Sequence, residues 1–278
     1  MAQPDRSFEF VEIRGHRIAF EQHGDGTPVV FIPGTGTYRA VYGDVAEALG
    51  DGYRCIRYDR RGFAATGGAP CSWHDHVQDA AALIQNLVGG PAVVIGNSAG
   101  GVLALELAHE HPESVSALVL AEPAWRTMLT PSADATWALT RTFVTWLARR
   151  PEQAATLFYR WATGYVDGGN QFDQYPEEWR ATARGHARST LRELLQLLVP
   201  RPSGRAVRAI DVPTTVVIGG RGRPVFRRTA RAVASRIPGA DVVTLANSAH
   251  IVNTDDPEGF ASAVAATAQR AGRTGPIG

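Results

Sequence analysis

The chain has 278 residues, 44% of them hydrophobic, which is enough for one large hydrophobic core. Its 28 basic residues are balanced by 27 acidic ones, so the sequence carries no electrostatic footprint for nucleic acid. None of the basic residues is lysine, which excludes lysine Schiff bases, pyridoxal-phosphate attachment and the lysine-bearing phosphate loop.

The two cysteines, Cys55 and Cys71, are too few for a disulfide framework and do not form a Cys-x-x-Cys pair. The first residues lack the pattern of a signal peptide, and no run of about 18 apolar residues is present to span a membrane. We therefore expect a cytoplasmic protein that binds a small molecule, without a cofactor, metal, nucleic acid or membrane. A homo-oligomer is left open.

The predicted elements begin with an antiparallel hairpin formed by residues 8–13 and 17–21 around a polar turn. Six further apolar runs follow, most of them leading through glycine into a helix-length segment: 28–34, 53–59, 91–97, 115–123, 212–220 and 240–250. A helix is predicted from about Ser72 to Val88, and the last helix from Pro257 with Asp256 as its cap. β-Branched runs that alternate with helices indicate an α/β protein with a mostly parallel sheet covered on both faces.

The pattern changes between Pro123 and about Arg208, where no strand signal appears. This stretch reads as three or four amphipathic helices and contains five of the six tryptophans. We interpret residues 124–208 as a helical lid inserted into one core domain made of residues 1–123 and 209–278.

The pentapeptide GNSAG places Ser98 directly after a predicted buried strand and at the start of a helix. Small residues on both sides allow a sharp turn that exposes the serine hydroxyl above the sheet, as a nucleophile requires. The Ala99 amide at the helix start would favour an anion at the same place. An ordinary strand-to-helix turn is the alternative interpretation of this pattern.

A serine nucleophile needs a base, and histidine has suitable basicity at neutral pH. Among the eight histidines, His250 alone occupies the loop after the last predicted strand, at the sheet edge where ligands bind. We therefore predict that His250 is the base; a structural histidine in this loop is the alternative.

These features make the chain resemble the α/β-hydrolase family over nearly its whole length. The resemblance rests on four motifs in order: FIPGTG, DRRGFAATG, GNSAGG and SAHIVNTDDPEGF. It implies the α/β-hydrolase fold, with an eight-stranded, mostly parallel sheet, helices on both faces and a helical lid between strands 6 and 7. It also implies an oxyanion hole from the backbone amides of Thr35 and Ala99. The chain departs from the family at Pro33-Gly34, where many members have His-Gly.

The histidine needs a carboxylate partner to hold its tautomer. The family's usual position after the seventh strand is occupied here by Arg223, which offers only hydrogen-bond donors. Glu122 follows the sixth strand, where some family members carry their acid, and zearalenone lactonases look similar in having Glu-Pro there. We assign the acid to Glu122, with a surface glutamate as the alternative. Asp255 and Asp256 are better explained as helix-starting residues.

Ser98, His250 and Glu122 predict a serine hydrolase that cleaves a carboxylic ester or lactone through an acyl-serine intermediate. Aromatic residues of the lid predict a bulky apolar or aromatic substrate, and we name Gly34, Trp125 and Trp161 as candidate substrate-binding residues. Packing of the lid helices on each other and on the core is the alternative role of these aromatic residues. Two other classes stay open. One is a cofactor-free lyase, perhydrolase or dioxygenase on the same fold, and the other is a small-molecule binding protein with slow turnover.

Overall fold

The computed structural model describes residues 8–199 and 201–274, and its centre is an eight-stranded sheet. The strands are β1 (Glu9–Ile13), β2 (His16–His23), β3 (Thr27–Ile32), β4 (Tyr53–Tyr58), β5 (Ala92–Asn97), β6 (Val115–Ala121), β7 (Thr214–Gly219) and β8 (Asp241–Leu245). Their order in the sheet is β1-β2-β4-β3-β5-β6-β7-β8. The β1–β2 and β2–β4 pairs are antiparallel and all other pairs are parallel, which confirms the predicted sheet.

Helices cover both faces of this sheet. They are α1 (Gly43–Leu49), α2 (Trp73–Leu87), α3 (Ala99–Glu110), α4 (Ala133–Leu147), α5 (Pro151–Ala162), α6 (Glu177–Gly185), α7 (Ala187–Gln196), α8 (Gly204–Arg208), α9 (Pro224–Ala234), α10 (Val252–Asp255) and α11 (Pro257–Thr274). Helices α2, α3 and α9 pack on one face, and α1 and α11 pack on the other. No helix within the described ranges is both long and apolar enough to cross a membrane.

The central strands are buried on both sides because successive side chains alternate between the two faces. In β5, Val94 packs into the core beneath α2 and α3, whereas Val93 and Ile95 pack into the core beneath α1 and α11. The start of α2 is the one predicted from the sequence. Ser72 forms a capping box with Asp75 at the start of α2.

The segment between β6 and β7, here called the inserted segment, carries α4 to α8 and contains no strand among its described residues. Helices α4 to α7 share a hydrophobic cluster in which Leu191 and Leu194 of α7 are fully buried. Phe226 of α9 belongs to the same cluster and joins the inserted segment to the sheet domain.

The buried His76 of α2 makes the stability of the fold dependent on pH. Burial, followed by the positive charges of Arg60 and Arg61, lowers the pKa of His76 well below 6.5, although Asp75 opposes this. Below pH 6.5 the unfolded chain therefore binds a proton that the folded chain does not. We expect the contribution of His76 to the free energy of unfolding to fall by up to about 1.4 kcal/mol for each pH unit between 6.5 and the lowered pKa of the folded state, and to stay constant well above pH 6.5.

Urea unfolding at pH 7.5, 6.5 and 5.5 measures this effect. The His76→Gln variant should lose stability less steeply on acidification than the wild type. Equal slopes for the two proteins would contradict the assignment to His76.

Candidate active site

Ser98 lies at a tight turn between β5 and α3. Its backbone has φ +54° and ψ −118°, a strained conformation for a residue with a side chain. The helix crosses so close to the strand that a Cβ on Gly96 would lie 2.3 Å from the Gly100 carbonyl oxygen. A Cβ on Gly100 would lie 2.1 Å from the Ile32 carbonyl oxygen. The glycines of GNSAG are therefore required by contact between backbones.

His250 and Glu122 form a buried hydrogen-bonded pair beside this turn. The Nδ1 atom of His250 lies 2.8 Å from Oε2 of Glu122, and their side chains are 2% and 0% exposed. The other carboxylate oxygen, Oε1, accepts a hydrogen bond of 3.0 Å from the Gly219 amide. Glu122 has φ +41°, so it too adopts a strained backbone conformation at the end of its strand. Both carboxylate oxygens are thus committed, and the position of the carboxylate is fixed.

Three side chains hold the backbone around His250, and the sequence did not identify their roles. Asp255 accepts a hydrogen bond from the Ala249 amide, which replaces its predicted role as a helix-starting residue. Asn97 donates to the carbonyl of His250 itself. Gln171 of the inserted segment both donates to the Ile251 carbonyl and accepts from the Ile251 amide, each at 3.0 Å. The three contacts fix the histidine loop against β5 and the inserted segment.

An aromatic ring fixes the plane of the imidazole. Phe226 stacks on His250 with ring centroids 3.7 Å apart and an angle of 21° between the planes. Phe226 is placed there by the first turn of α9, which begins at Pro224. Arg223, at the family's usual acid position, donates instead to the carbonyl of Trp161. The only signal in the sequence for this stacking is that Phe226 comes shortly after β7, near the family's usual acid position.

The two backbone amides predicted as oxyanion donors belong to Ala99 and Thr35. Ala99 is the first residue of α3, so its amide has no partner within the helix. Thr35 lines the same cavity as Ser98, and neither its amide nor its buried hydroxyl has a hydrogen-bond partner among the described residues. Ser98 and His250 both line this cavity, without a hydrogen bond between their side chains in the described structure.

The cavity at Ser98 is narrow and largely apolar. The cavity has a volume of about 580 Å³. Its aromatic lining consists of Tyr38, Phe158, Tyr159, Phe172, Tyr175 and Trp179. Within the described residues, no arginine, aspartate or glutamate belongs to the lining, and no group of three metal-binding side chains occurs anywhere. The lining therefore suits an uncharged molecule.

Two of the three predicted substrate-binding residues lie outside the cavity, so the prediction was wrong for them. Gly34 lines the cavity, but Trp125 and Trp161 do not. Trp125 packs into the core beside α3 and donates its indole N–H to the Pro202 carbonyl. Trp161 packs behind Phe226, with ring centroids 5.4 Å apart. Both side chains are buried by packing between the inserted segment and the sheet domain, so neither reaches the cavity.

The fold and the geometry of the site are those of an alpha/beta hydrolase, and comparison with known proteins agrees. The alpha/beta hydrolase family model matches residues 29–263, and the chain belongs to that family. An alpha/beta hydrolase from Sphaerobacter thermophilus is 28% identical, with a TM-score of 0.75, and the match covers 93% of this chain and 99% of that one. A thermophilic esterase from Thermogutta terrifontis has a TM-score of 0.77 at 22% identity, over 96% of this chain and 99% of that one.

Sequence similarity to a curated protein is stronger but local. The non-heme bromoperoxidase candidate BpoC of Mycobacterium tuberculosis is 42% identical over 106 residues, which is 37% of this chain and 40% of that protein. The chain therefore matches about two fifths of the length of that relative, in a family that contains hydrolases.

Proposed function

We propose that the protein is a serine hydrolase that cleaves an uncharged carboxylic ester or lactone through an acyl-serine intermediate. The observation that carries the proposal is the 2.8 Å contact between Nδ1 of His250 and Glu122, beside a strained serine at one cavity. A buried carboxylate on Nδ1 selects the tautomer whose Nε2 can accept a proton.

The steps follow from these residues. The Ser98 oxygen attacks the substrate carbonyl carbon while its proton passes to Nε2 of His250. The Thr35 and Ala99 amides donate to the oxyanion that forms. His250 then returns the proton to the leaving alcohol, and the acyl group remains on Ser98. Water attacks this acyl group and gives its proton to His250. The bond between the acyl carbon and the Ser98 oxygen then breaks, His250 returns the proton to that oxygen, and the acid leaves.

The cavity supports a neutral, apolar or aromatic substrate, because burying an unpaired carboxylate there is costly. A panel of chromogenic esters and lactones tests the proposal. We expect kcat/KM for a neutral aryl ester to exceed that of the matched ester with a terminal carboxylate on its acyl chain by about a hundredfold or more. Mass spectrometry of a quenched reaction should find the acyl group on the peptide that contains Ser98.

Cleavage of no ester or lactone in the panel would contradict the hydrolase proposal. Equal kcat/KM for the neutral and anionic esters would contradict only the substrate class. The dipeptide Glu122-Pro123 after β6 resembles the Glu-Pro of zearalenone lactonases. The panel therefore includes a macrocyclic lactone of resorcylic acid. Preference for this lactone over open-chain esters would place the protein with lactonases.

The local similarity to the bromoperoxidase candidate BpoC favours perhydrolysis as the second candidate. In that reaction hydrogen peroxide replaces water in attacking the acyl-serine and yields a peroxy acid. Peroxide-dependent bromination of a dione in the presence of a carboxylic acid would detect it. Bromination faster than ester hydrolysis would favour this candidate over the first.

A further inference from the structure

The carbonyl of Gly34 belongs to the same peptide unit as the Thr35 amide. This peptide is trans, so its C=O and N–H point in opposite directions, and a group that holds the oxygen also aims the N–H. Arg60 donates from Nη2 to the Gly34 oxygen at 2.9 Å. The amide and hydroxyl of Thr37 donate to the same oxygen at 3.2 and 3.1 Å. Of these three donors, Arg60 makes the shortest hydrogen bond to the Gly34 oxygen and is the only charged one.

Arg60 is held in turn by the inserted segment. Its guanidinium forms a two-point ion pair with Glu193 of α7, in which Nη1 contacts Oε1 and Nη2 lies 3.2 Å from Oε2. The side chains of Arg60 and Glu193 are 1% and 2% exposed. Both charges are buried, so the pair depends on the close contacts that Nη1 and Nη2 make with Glu193 and with the Gly34 oxygen, while Nε has no partner among the described residues. These contacts leave the guanidinium little freedom to move.

Other contacts press the inserted segment onto the same region. Tyr159 of α5 lies over Gly36, where an added Cβ would approach its ring to 2.2 Å. His186, directly before α7, accepts a hydrogen bond of 2.8 Å from the Ala64 amide in the loop after β4. The inserted segment thus contacts both the loop that carries Thr35 and the loop that carries Arg60.

We propose that Arg60, anchored by Glu193, is a positioning residue that orients and polarises the Thr35 amide as an oxyanion donor. The inserted segment then contributes to catalysis through the Glu193–Arg60–Gly34 connection as well as by closing the cavity. This inference rests on the proposed hydrolase function. A hydrogen bond to a peptide carbonyl strengthens the N–H of the same unit, which is the effect required at a developing oxyanion.

The test compares an ester with its thionoester, in which sulfur replaces the carbonyl oxygen. Sulfur accepts hydrogen bonds weakly, so damage to the oxyanion hole lowers the ester rate more than the thionoester rate. The variant is the double substitution Arg60→Met with Glu193→Leu, because apolar replacement of both partners avoids leaving one buried charge. Arg61→Met is the matched control, since Arg61 pairs with Asp79 and does not contact Gly34.

In the double variant we expect the ratio of ester to thionoester kcat/KM to fall about tenfold, with the loss in kcat rather than KM. In Arg61→Met the ratio should stay at the wild-type value. A merely structural role for Arg60 predicts equal losses for both substrates, and equal losses would overturn the inference. Absence of ester cleavage by the wild type would instead overturn the proposed function.

A second measurement needs no substrate and covers the case in which the double variant is inactive. Threonine labelled with nitrogen-15 reports the Thr35 amide resonance, which is assigned by its disappearance in Thr35→Ser. Loss of the Arg60 donor should move this resonance in the folded double variant. An unchanged Thr35 resonance there would overturn the inference.

Discussion

Ser98→Ala is expected to lower ester cleavage by at least about ten-thousandfold while the protein stays folded. The reason is that the hydroxyl is the atom that forms the acyl bond, and no other group can replace it. Alanine has the same Cβ as serine, so the strain at φ +54° is unchanged and the turn should persist. Steady-state hydrolysis of the best ester from the panel, with thermal unfolding of the same preparation, measures both effects.

Ser262→Ala is the control for this substitution. Ser262 is exposed on α11, and among the described residues its hydroxyl donates only to the Glu258 carbonyl of the same helix, so its loss should leave activity unchanged. The acyl adduct should be present in this control and absent from Ser98→Ala. Retention of more than a few per cent of activity by Ser98→Ala would refute the role of Ser98 as nucleophile.

Glu122→Gln is expected to lower kcat by about a thousandfold or more with little change in KM. One carboxylate oxygen accepts from the Gly219 amide, so the glutamine would keep its oxygen there and turn its NH₂ toward His250. An NH₂ group donates to Nδ1, which moves the ring proton to Nε2. The imidazole would then hold the wrong tautomer and could not take the serine proton.

The control for Glu122→Gln is Glu106→Gln in α3. Glu106 is also a buried glutamate, 6% exposed, but it lies outside the lining of the cavity. This control separates loss of a buried charge from loss of the contact to His250. Near-wild-type activity of Glu122→Gln, together with an aspartate elsewhere proving essential, would refute the assignment of the acid to Glu122.

The order of strands and helices was predictable because it depends on local properties. Runs of β-branched residues predicted the central strands, and Ser72 and Asp256 predicted helix starts through their own hydrogen bonds to nearby amides. The turn at Ser98 was predictable for the same reason, since small residues on either side of it are visible in the sequence. The candidate site was predictable as far as Ser98, Glu122 and His250 follow the parallel strands β5, β6 and β8, whose carboxyl ends lie at one edge of the sheet.

Trp125 marks the limit of prediction from the sequence. It lies three residues after Glu122, and that nearness suggested that it faces the substrate. The backbone turns at Glu122 with φ +41°, however, and Trp125 enters the core while Glu122 reaches His250. The direction of a side chain after a strained turn depends on dihedral angles that the residue types do not determine.

By itself, the sequence determined the sheet with its covering helices, the tight turn at Ser98 and the choice of His250 as the candidate base. The sheet, the helices and the turn follow from periodicity, helix capping and the small size of glycine, which act within a few residues of chain. The choice of His250 follows from its place in the loop after the last strand. Only the tertiary structure decided that Phe226 stacks on His250, that Gln171 holds the backbone beside it, and that Arg60 and Glu193 pair behind the Thr35 peptide. Such contacts join residues far apart in the chain, because packing of whole elements determines which side chains meet.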